Sequence, residues 1–259
     1  AVLYTFLKEA TNGRIAMLGM LFLGLTPRYF GDIHNNMKDV PSAVVFAVNI
    51  WLLWRLIRHK RPIDLILAIV GFAVAFNVKI NSMFIPIVIA IWLFLLWVWH
   101  KRLGFPKNFT HIALYFISAP LAAFLLWWAF WPNPISQLDH AFRTFGIGTN
   151  NIEVLLNGSW YCSGSTVPWY YPFWYIGITT PLPILIGFVV SIVIIVTQWK
   201  KITSINILLV LWFFIPLTRY LVPNIGVIDG IRHFEEVLFP LCALAAIGFD
   251  HLMHKIKRP

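Results

Sequence analysis

Charged residues are scarce in this sequence. Asp, Glu, Lys and Arg make up 12% of the 259 residues, whereas 59% are hydrophobic and the mean hydropathy is +0.77. A soluble domain carries roughly 25% charged residues, because its surface must be hydrated. The shortage of charge therefore excludes an ordinary water-soluble fold.

Several catalytic and cofactor motifs are also absent from the sequence. It has two cysteines and no C-x-x-C pair, Walker loop, H-E-x-x-H zinc motif or G-x-S-x-G nucleophile elbow. These motifs are typical of redox centres, nucleotide-driven pumps, zinc proteases and serine hydrolases. Their absence disfavours each of those classes.

Long apolar runs are what the sequence has in abundance. A helix needs about 20 mainly apolar residues to cross a hydrocarbon layer of roughly 30 Å. The runs are continuously apolar rather than alternating, which favours helices over barrel strands. We therefore predict an all-α polytopic transmembrane helix bundle forming a single domain over residues 1–259. The eight predicted helices lie near 12–27, 41–57, 63–78, 82–99, 111–131, 178–198, 205–222 and 235–250.

The basic residues alternate between the two sides of this predicted bundle. Of the twenty Lys and Arg, fourteen fall on one set of connections and six on the other. The positive-inside rule places the fourteen in the cytoplasm together with both chain ends. The net charge of +10 is thus a topology signal, and we expect no nucleic-acid partner. The fourteen are Lys8, Arg14, Arg55, Arg58, Lys60, Arg61, Lys101, Arg102, Lys107, Lys200, Lys201, Lys255, Lys257 and Arg258.

The acidic residues show the opposite bias. Seven of the ten Asp and Glu fall on the outer side, in or next to outer segments at about 28–40, 132–177 and 223–234. The positive-inside rule hardly constrains acidic residues, so this excess needs a cause of its own. An outward-facing polar site is one such cause.

The first outer segment is dense in polar groups. Arg28, His34, Lys38 and Asp39 all fall within it. One interpretation is a solvated turn in which Asp39 starts a helix, since a carboxylate near a helix N-terminus is favourable. The other interpretation is that these polar side chains form part of an active or binding site.

The second outer segment contains the aromatic run 169–175, Trp-Tyr-Tyr-Pro-Phe-Trp-Tyr. This run is predicted either to form an aromatic belt at the headgroup level or to provide a platform for a sugar or a lipid chain. Cys162 falls in the same segment and Cys242 inside the last predicted helix. We expect the two cysteines at different membrane depths, without a disulfide and without a catalytic role.

The third outer segment places Asp229, Arg232 and His233 before a helix that starts with Glu235 and Glu236. The glutamates could simply complement the helix dipole. Arg232 and His233 favour an anion site, because a guanidinium binds phosphate with fixed bidentate geometry.

One further candidate cation lies in a tight outer turn between two predicted helices. Lys79 stands there between Asn77 and Asn81. As an alternative to a role in a site, its long side chain could reach the headgroups.

Three of these segments resemble one enzyme family. The first, Pro27-Arg28-Tyr29-Phe30-Gly31-Asp32 through Asn36-Met37-Lys38-Asp39-Val40-Pro41, is similar to the P-R-F-F-G-H-x-x-x-N-x-K-D-x-P pattern of the family 39 and aminoarabinose-transferase-like glycosyltransferases. The others, in the same order along the chain, are Val167-Pro168-Trp169-Tyr170-Tyr171 with Thr179-Thr180-Pro181-Leu182-Pro183, and Asp229-Gly230-Ile231-Arg232-His233-Phe234.

The resemblance implies a GT-C fold and transfer of a sugar from an undecaprenyl or dolichyl phosphate to an acceptor hydroxyl at the outer or lumenal face. In such enzymes the catalytic acidic residue usually lies in the first outer loop. This chain is expected to begin beyond that loop, with upstream helices missing, so no catalytic base is assigned from the pattern. The implied partners are membrane lipids, the polyprenyl-phosphate sugar, and a glycan, lipid or protein acceptor.

The needs of the reaction suggest roles for the candidates. One carboxylate must take the acceptor proton, and the lipid phosphate needs cations to stabilise it as it leaves. Asp39 is the candidate carboxylate that orients acceptor or donor, with Arg232 and His233 contacting phosphate. The further candidates for substrate binding are Arg28, His34, Lys38, Lys79 and Asp229. A divalent ion could bind His34 or His233 together with Asp39, although no spacing specifies a metal.

Two other functions fit a helix bundle. A multispanning transporter or flippase of an anionic lipid-linked substrate could use the same outer cations. Transporters usually place ionisable groups at mid-membrane, whereas here they cluster at one surface. A non-enzymatic membrane scaffold would need no such cluster.

The expected location of the protein is an integral, multi-pass position in a membrane, most simply a bacterial plasma membrane.

Overall fold

The computed structural model describes residues 1–99, 109–222 and 224–256. Within these ranges it is a bundle of α-helices with one two-stranded antiparallel hairpin. Some residues assigned above to connections lie outside the described ranges. These are Lys101, Arg102, Lys107, Lys257 and Arg258 of the predicted cytoplasmic side and Pro223 of the third outer segment.

Twelve α-helices occur in the described ranges. They are α1 (Val2–Ala10), α2 (Gly13–Gly24), α3 (Pro27–Asn35), α4 (Asp39–His59), α5 (Pro62–Val78), α6 (Phe84–Val98), α7 (Phe109–Leu126), α8 (Pro134–Ile147), α9 (Tyr171–Thr179), α10 (Leu182–Thr197), α11 (Ser204–Leu217) and α12 (Leu238–Ile256). The hairpin strands are β1 (Glu153–Leu156) and β2 (Ser159–Cys162). Short 3₁₀ helices include Ile80–Met83, Thr218–Leu221 and Arg232–Val237.

Each of the eight apolar runs identified in the sequence corresponds to one helix of the bundle. Five helical segments of the described chain are long and apolar enough to cross a membrane: Asp39–His59, Ile80–Val98, Phe109–Leu126, Ser204–Leu221 and Arg232–Lys255. Three shorter apolar helices accompany them, Gly13–Gly24, Pro62–Val78 and Leu182–Thr197. The prediction of an all-α membrane bundle is confirmed, and the chain is an integral membrane protein.

The helices pack in two connected groups. On one side α4 packs on α5 and α5 on α7; on the other α10 packs on α12 and α12 on α2. Helix α11 contacts α12 of the second group and also α6, which packs on α4 of the first group, and so joins the two. Trp212 of α11 is fully buried at this junction, stacked between Phe46 of α4 and Phe239 of α12. Aromatic packing of this kind fixes the relative positions of the helices that carry the site.

Helices α10 and α12 approach each other closely through glycine. A β-carbon at Gly248 would lie 2.0 Å from the carbonyl oxygen of Gly187 and 2.8 Å from the amide nitrogen of Ser191. A β-carbon at Gly187 would lie 2.5 Å from the carbonyl oxygen of Ala245. Small residues permit such backbone contact between membrane helices, where dispersion drives association.

Replacing Gly248 by alanine is expected to destabilise the bundle by about 1–3 kcal/mol, because the added methyl group meets backbone atoms that cannot rotate away. Thermal unfolding in detergent measures the effect. Gly24→Ala in α2 is the matched control, since a β-carbon there would meet nothing within 4 Å. Equal stability of the two variants would contradict the close contact.

Charged residues at the far end of α4 form a separate cluster. Arg55 contacts Asp64 at 3.2 Å and Glu9 at 3.8 Å, and Asp64 is fully buried. Asp39 and Arg55 lie at opposite ends of the 21-residue helix α4, which is about 30 Å long. The ion pairs of the two ends are therefore independent of each other.

The three outer segments contain regular structure of their own. Helix α3 occupies most of the first, and the second holds α8, the hairpin and α9. The Asn157-Gly158 loop joins β1 to β2, and both residues have positive φ (+50° and +78°). A two-residue loop with two positive φ angles is the type I′ turn that Asn-Gly favours. The second segment is thus a folded cap rather than a long loop.

Candidate functional site

Asp39, the first residue of α4, lies at the centre of a buried ion-pair cluster. Its side chain is only 4% exposed. Oδ1 accepts a hydrogen bond from the Lys79 ammonium at 2.7 Å, and Oδ2 accepts one from Arg232 Nε at 2.6 Å. Asn36 Nδ2 donates to the same Oδ2 at 3.0 Å. Two cations and an amide therefore satisfy both oxygens, as a buried carboxylate requires.

Local backbone features bring these side chains together. The Oδ1 atom of Asn36 accepts the backbone N–H of Asp39 at 2.9 Å, which fixes the start of α4. Lys79 follows the last residue of α5 directly. Arg232 begins the 3₁₀ helix Arg232–Val237, in which Phe234 leaves the helical conformation. This break separates Arg232 from the regular helix α12 and allows it to reach Asp39.

Arg28 and Asp229 connect α3 with the segment before that 3₁₀ helix. Arg28 Nε lies 2.8 Å from Asp32 Oδ2, and Arg28 Nη2 donates to the backbone carbonyl of Asp229 at 3.3 Å. The Asp229 carboxylate accepts a hydrogen bond from Arg232 Nη1 at 3.1 Å. Asp229 and Gly230 both have positive φ, +58° and +66°. The chain therefore turns sharply between the two arginines, in a conformation that costs a non-glycine residue energy.

A polar cavity of about 540 Å³ opens beside these groups, and we call it the cationic pocket. Arg28, Lys38 and Arg232 supply three positive charges to its wall, and the carboxylates of Asp32 and Asp229, which pair with the two arginines, supply two negative ones. Lys38 is exposed, and its ammonium has no partner among the described residues. The complete lining is Arg28, Asp32, Asn35, Asn36, Met37, Lys38, Asp229 and Arg232. A pocket with this lining can bind an anion such as phosphate.

The two glutamates after Arg232 are buried. Glu235 is 1% exposed and Glu236 is 3% exposed, so they lie inside the protein rather than at a solvated helix end. Glu236 accepts a hydrogen bond from Asn81 Nδ2 at 3.1 Å. The same amide donates to the backbone carbonyl of His233 at 2.8 Å. Asn81 thereby ties the turn after α5 to the 3₁₀ helix that carries Arg232.

A second cavity of about 310 Å³ lies next to the first, and we call it the hairpin pocket. One wall is β1 and the other is the turn at Gly230, where a β-carbon would lie 3.0 Å from the Tyr175 ring. The Tyr171 hydroxyl accepts the Gly230 N–H at 2.9 Å. Burial raises the pKa of Tyr171 above its ordinary value, so the phenol stays neutral. The complete lining is Arg28, Ile152, Glu153, Val154, Leu155, Tyr171, Tyr175, Thr179, Ile228, Asp229, Gly230 and Ile231.

Helix α9 divides the aromatic run into two faces. Tyr171 and Tyr175 turn toward the hairpin pocket, one helical turn apart, with ring centroids separated by 4.6 Å. Trp169, Phe173 and Trp174 are exposed. Exposed aromatic side chains suit the headgroup level of a membrane, whereas paired tyrosines at a cavity suit a ligand. The run therefore combines the features expected for both of its predicted roles.

The candidates named from the sequence fall into two groups. Six of them, Arg28, Lys38, Asp39, Lys79, Asp229 and Arg232, belong to the ion-pair cluster or the cationic pocket. His34 instead bonds through Nδ1 to the carbonyl of Phe30, within its own helix. His233 lines neither pocket, and its Nε2 is buried without a hydrogen-bonding partner among the described residues. The same residues contain no group of three or more His, Cys, Asp or Glu side chains arranged to hold a metal ion.

The structure also adds residues that were not named as candidates. Asn36 and Asn81 orient the cluster, Asp32 pairs with Arg28, and Glu153 lines the hairpin pocket. Asn36 stands three residues before Asp39, near enough in sequence for its side chain to bond the backbone where the helix begins, and this could have indicated its role. The Asn-Gly turn at 157–158 predicts a hairpin, but it does not single out Glu153.

Comparison with known proteins links this site to glycosyl transfer. The model of the family described as dolichyl-phosphate-mannose-protein mannosyltransferase matches residues 1–128. No curated protein and no solved structure matches the chain. The matched region carries Arg28, Lys38, Asp39 and Lys79 of the site, and Arg232 comes from beyond it. Residues 1–128, just under half of the chain, are thus similar to this family of membrane glycosyltransferases, and the match agrees with the GT-C resemblance of the sequence.

Proposed function

We propose that the protein transfers a sugar from a polyprenyl-phosphate donor to an acceptor hydroxyl. The cationic pocket is the observation that carries this proposal. It adjoins the first residues of two candidate membrane spans, Asp39–His59 and Arg232–Lys255. A lipid phosphate whose prenyl chain remains in the bilayer would reach the pocket at this level.

The geometry of the pocket suits a departing phosphate. When the bond to the sugar breaks, negative charge develops on the lipid phosphate, and cations already held in place stabilise it most. Arg232 is held by Asp39 at 2.6 Å and by Asp229 at 3.1 Å, so its orientation is fixed before the donor arrives. Arg28 is fixed in the same way by Asp32. Lys38 has no partner in the part of the chain that the structure describes, and it is the cation most available to a new anion.

Two further considerations bear on the side of the membrane that the cationic pocket faces and on the sugar that the donor carries. The positive-inside rule places the basic connections and both chain ends in the cytoplasm, and hence the cationic pocket at the outer or lumenal face. The family description names mannose carried on dolichyl phosphate. Polyprenyl-phosphate mannose is therefore the first donor to test.

Polyprenyl phosphate is expected to stabilise the full-length protein in detergent, because it binds only the folded state. A concentration of about 100 times Kd would add about 2.7 kcal/mol to the free energy of unfolding. Lys38→Ala is expected to weaken binding by about 10- to 100-fold, which is the effect of losing a hydrogen bond from a charged group. Thermal unfolding with increasing lipid measures both quantities, and labelled mannose from the lipid donor measures transfer.

The matched control is Arg143→Ala. Arg143 is also an exposed cation of the cap, but it pairs with Asp139 at 2.7 Å and lines neither pocket. Its removal should leave lipid binding unchanged. If Lys38→Ala and Arg143→Ala bind the lipid equally well, the assignment of the cationic pocket is wrong. Labelled lipid that crosses the bilayer without any transfer would favour a flippase instead.

A further inference from the structure

Glu235 is a buried carboxyl group to which no N–H or hydroxyl group donates. It lies within the candidate span Arg232–Lys255 and is 1% exposed. In the part of the chain that the structure describes, neither Oε1 nor Oε2 accepts a hydrogen bond from such a donor. The next residue differs, because Glu236 accepts the Asn81 amide at 3.1 Å. An ionisable group placed in this way inside a membrane segment is a candidate for a functional role.

Packing of α3 against the segment that begins at Arg232 brings Glu235 to Asp32. Tyr29 of α3 packs edge-on against Phe239, with ring centroids 5.8 Å apart. Asp32 follows Tyr29 by three residues, which places both on one face of α3. Glu235 precedes Phe239 by four residues, which places these two on one face of the other segment. Asp32 and Glu235 are hydrogen-bonded to each other, and this requires that one of the two carboxyl groups carries a proton.

The proton belongs on Glu235 rather than on Asp32. Arg28 Nε lies 2.8 Å from Asp32 Oδ2, so Asp32 already has a counter-charge. Lys79 also faces Glu235, but it is bound by Asp39 at 2.7 Å. Two ionised carboxylates in contact inside the protein would repel each other, and burial would penalise both charges. Glu235 is then the neutral acid and Asp32 the anion.

Two further titratable groups face Glu235. The Asp39 carboxylate would repel a negative charge there. Burial raises the pKa of the Tyr29 phenol to about 12, so Tyr29 is neutral. These two side chains therefore offer Glu235 no compensating positive charge.

A protonated Glu235 supports the cationic pocket from the interior of the protein. Its hydroxyl donates to Asp32, Asp32 binds Arg28, and both of these residues line the pocket. The chain of contacts thus runs from the buried core to the pocket wall. An ionised Glu235 would instead place a second negative charge behind Asp32, and this would reduce the attraction of the pocket for an anion.

We propose that Glu235 is a protonated positioning residue, whose hydroxyl group orients Asp32 and, through it, Arg28 for the donor phosphate. The part in donor binding rests on the proposed function, whereas the protonated state does not. Glu235 lines neither pocket, so it acts through its neighbours and does not touch the substrate.

Infrared difference spectroscopy of the full-length protein in detergent at neutral pH tests the protonated state. Wild type minus Glu235→Gln should show the carbonyl band of a protonated carboxylic acid, because the variant has an amide in its place. Asp139→Asn is the control, since Asp139 is an exposed carboxylate paired with Arg143 at 2.7 Å and its loss should remove no such band. If the band is absent from the Glu235→Gln difference, Glu235 is ionised and the inference is overturned.

A matched pair of variants at the same position tests the positioning role. Glu235→Gln keeps a donor to Asp32 and should bind polyprenyl phosphate within about threefold of wild type. Glu235→Leu has no donor and should bind the lipid about 10-fold more weakly, the cost of losing a hydrogen bond to a charged group. Without lipid, the leucine variant should keep close to wild-type stability, because an apolar side chain leaves no unsatisfied polar group of its own. Thermal unfolding with increasing lipid measures both variants.

The outcomes separate this inference from the function on which it rests. Equal lipid binding by Glu235→Leu and Glu235→Gln would overturn the positioning role, and so would weak binding by both. If the wild-type protein is neither stabilised by polyprenyl phosphate nor active with the lipid donor, the proposed function fails and the positioning role fails with it. The acid band decides the protonated state in either case. An acid band together with tight binding by Glu235→Gln and weak binding by Glu235→Leu supports the inference.

Discussion

Replacing Arg232 by alanine is expected to lower the rate of sugar transfer by about 100- to 1,000-fold, the usual cost of removing one preorganised donor to a developing negative charge. Arg232 is the residue that joins the buried carboxylate of Asp39 to the cationic pocket. Its side chain is 43% exposed, and Asp39 keeps Lys79 as a partner when the arginine is removed. The fold should therefore survive the substitution.

Single-turnover transfer from polyprenyl-phosphate mannose at saturating donor measures this effect. Arg232→Lys should give an intermediate rate, because an ammonium keeps the charge but cannot bond Asp39 and phosphate in the fixed geometry of a guanidinium. Arg143→Ala is again the control for loss of an outer cation. Wild-type rates in Arg232→Ala would show that the phosphate binds elsewhere.

Asp39→Asn is expected to destabilise the protein by about 3–5 kcal/mol and to abolish most transfer. The substitution leaves the Lys79 ammonium, whose side chain is only 9% exposed, without its counter-charge. Removing one partner of a buried ion pair costs this much because the remaining charge stays desolvated. Chemical unfolding in mixed micelles measures the loss.

A double variant separates stability from function. Asp39→Asn with Lys79→Met removes both charges, so much of the lost stability should return. Transfer should stay low, because Arg232 has still lost the carboxylate counter-charge at 2.6 Å that orients it, and an amide oxygen binds a guanidinium more weakly. This result would make Asp39 a positioning residue that acts through Arg232. Recovery of transfer together with stability would mean that Asp39 does no more than neutralise Lys79.

The membrane helices could be predicted from the sequence because one physical requirement dominates them. A spanning segment must be apolar over its whole length, so runs such as 41–57 and 63–78 identify α4 (Asp39–His59) and α5 (Pro62–Val78) within a few residues. Helices α1, α3, α8 and α9 escaped this criterion, since none of them is a long apolar run. The hairpin escaped it as well, although Asn157-Gly158 carried a recognisable turn signal.

Most residues of the candidate site could be named from the sequence, but their contacts with one another could not. The three segments that resemble glycosyltransferases contain Arg28, Asp39 and Arg232, and the structure brings them together. No local pattern states that Asp39 and Arg232 touch, because they are 193 residues apart. His34 bonds to the carbonyl of Phe30, four residues earlier in the same helix, and that helix was not predicted. Glu153 had no distinctive local spacing to mark it.

The distance along the chain between Asp39 and its two cations has a consequence for biosynthesis. Lys79 follows Asp39 by 40 residues and Arg232 follows it by 193. At about 5–20 residues per second, a ribosome needs roughly 10–40 s to reach the second cation after the carboxylate has been made. Lys79 is thus the counter-ion available while α4 and α5 enter the bilayer, and the Asp39–Arg232 pair can form only after the segment before α12 has been made. The ion-pair cluster around Asp39 is therefore incomplete for most of the time that the described chain is being made.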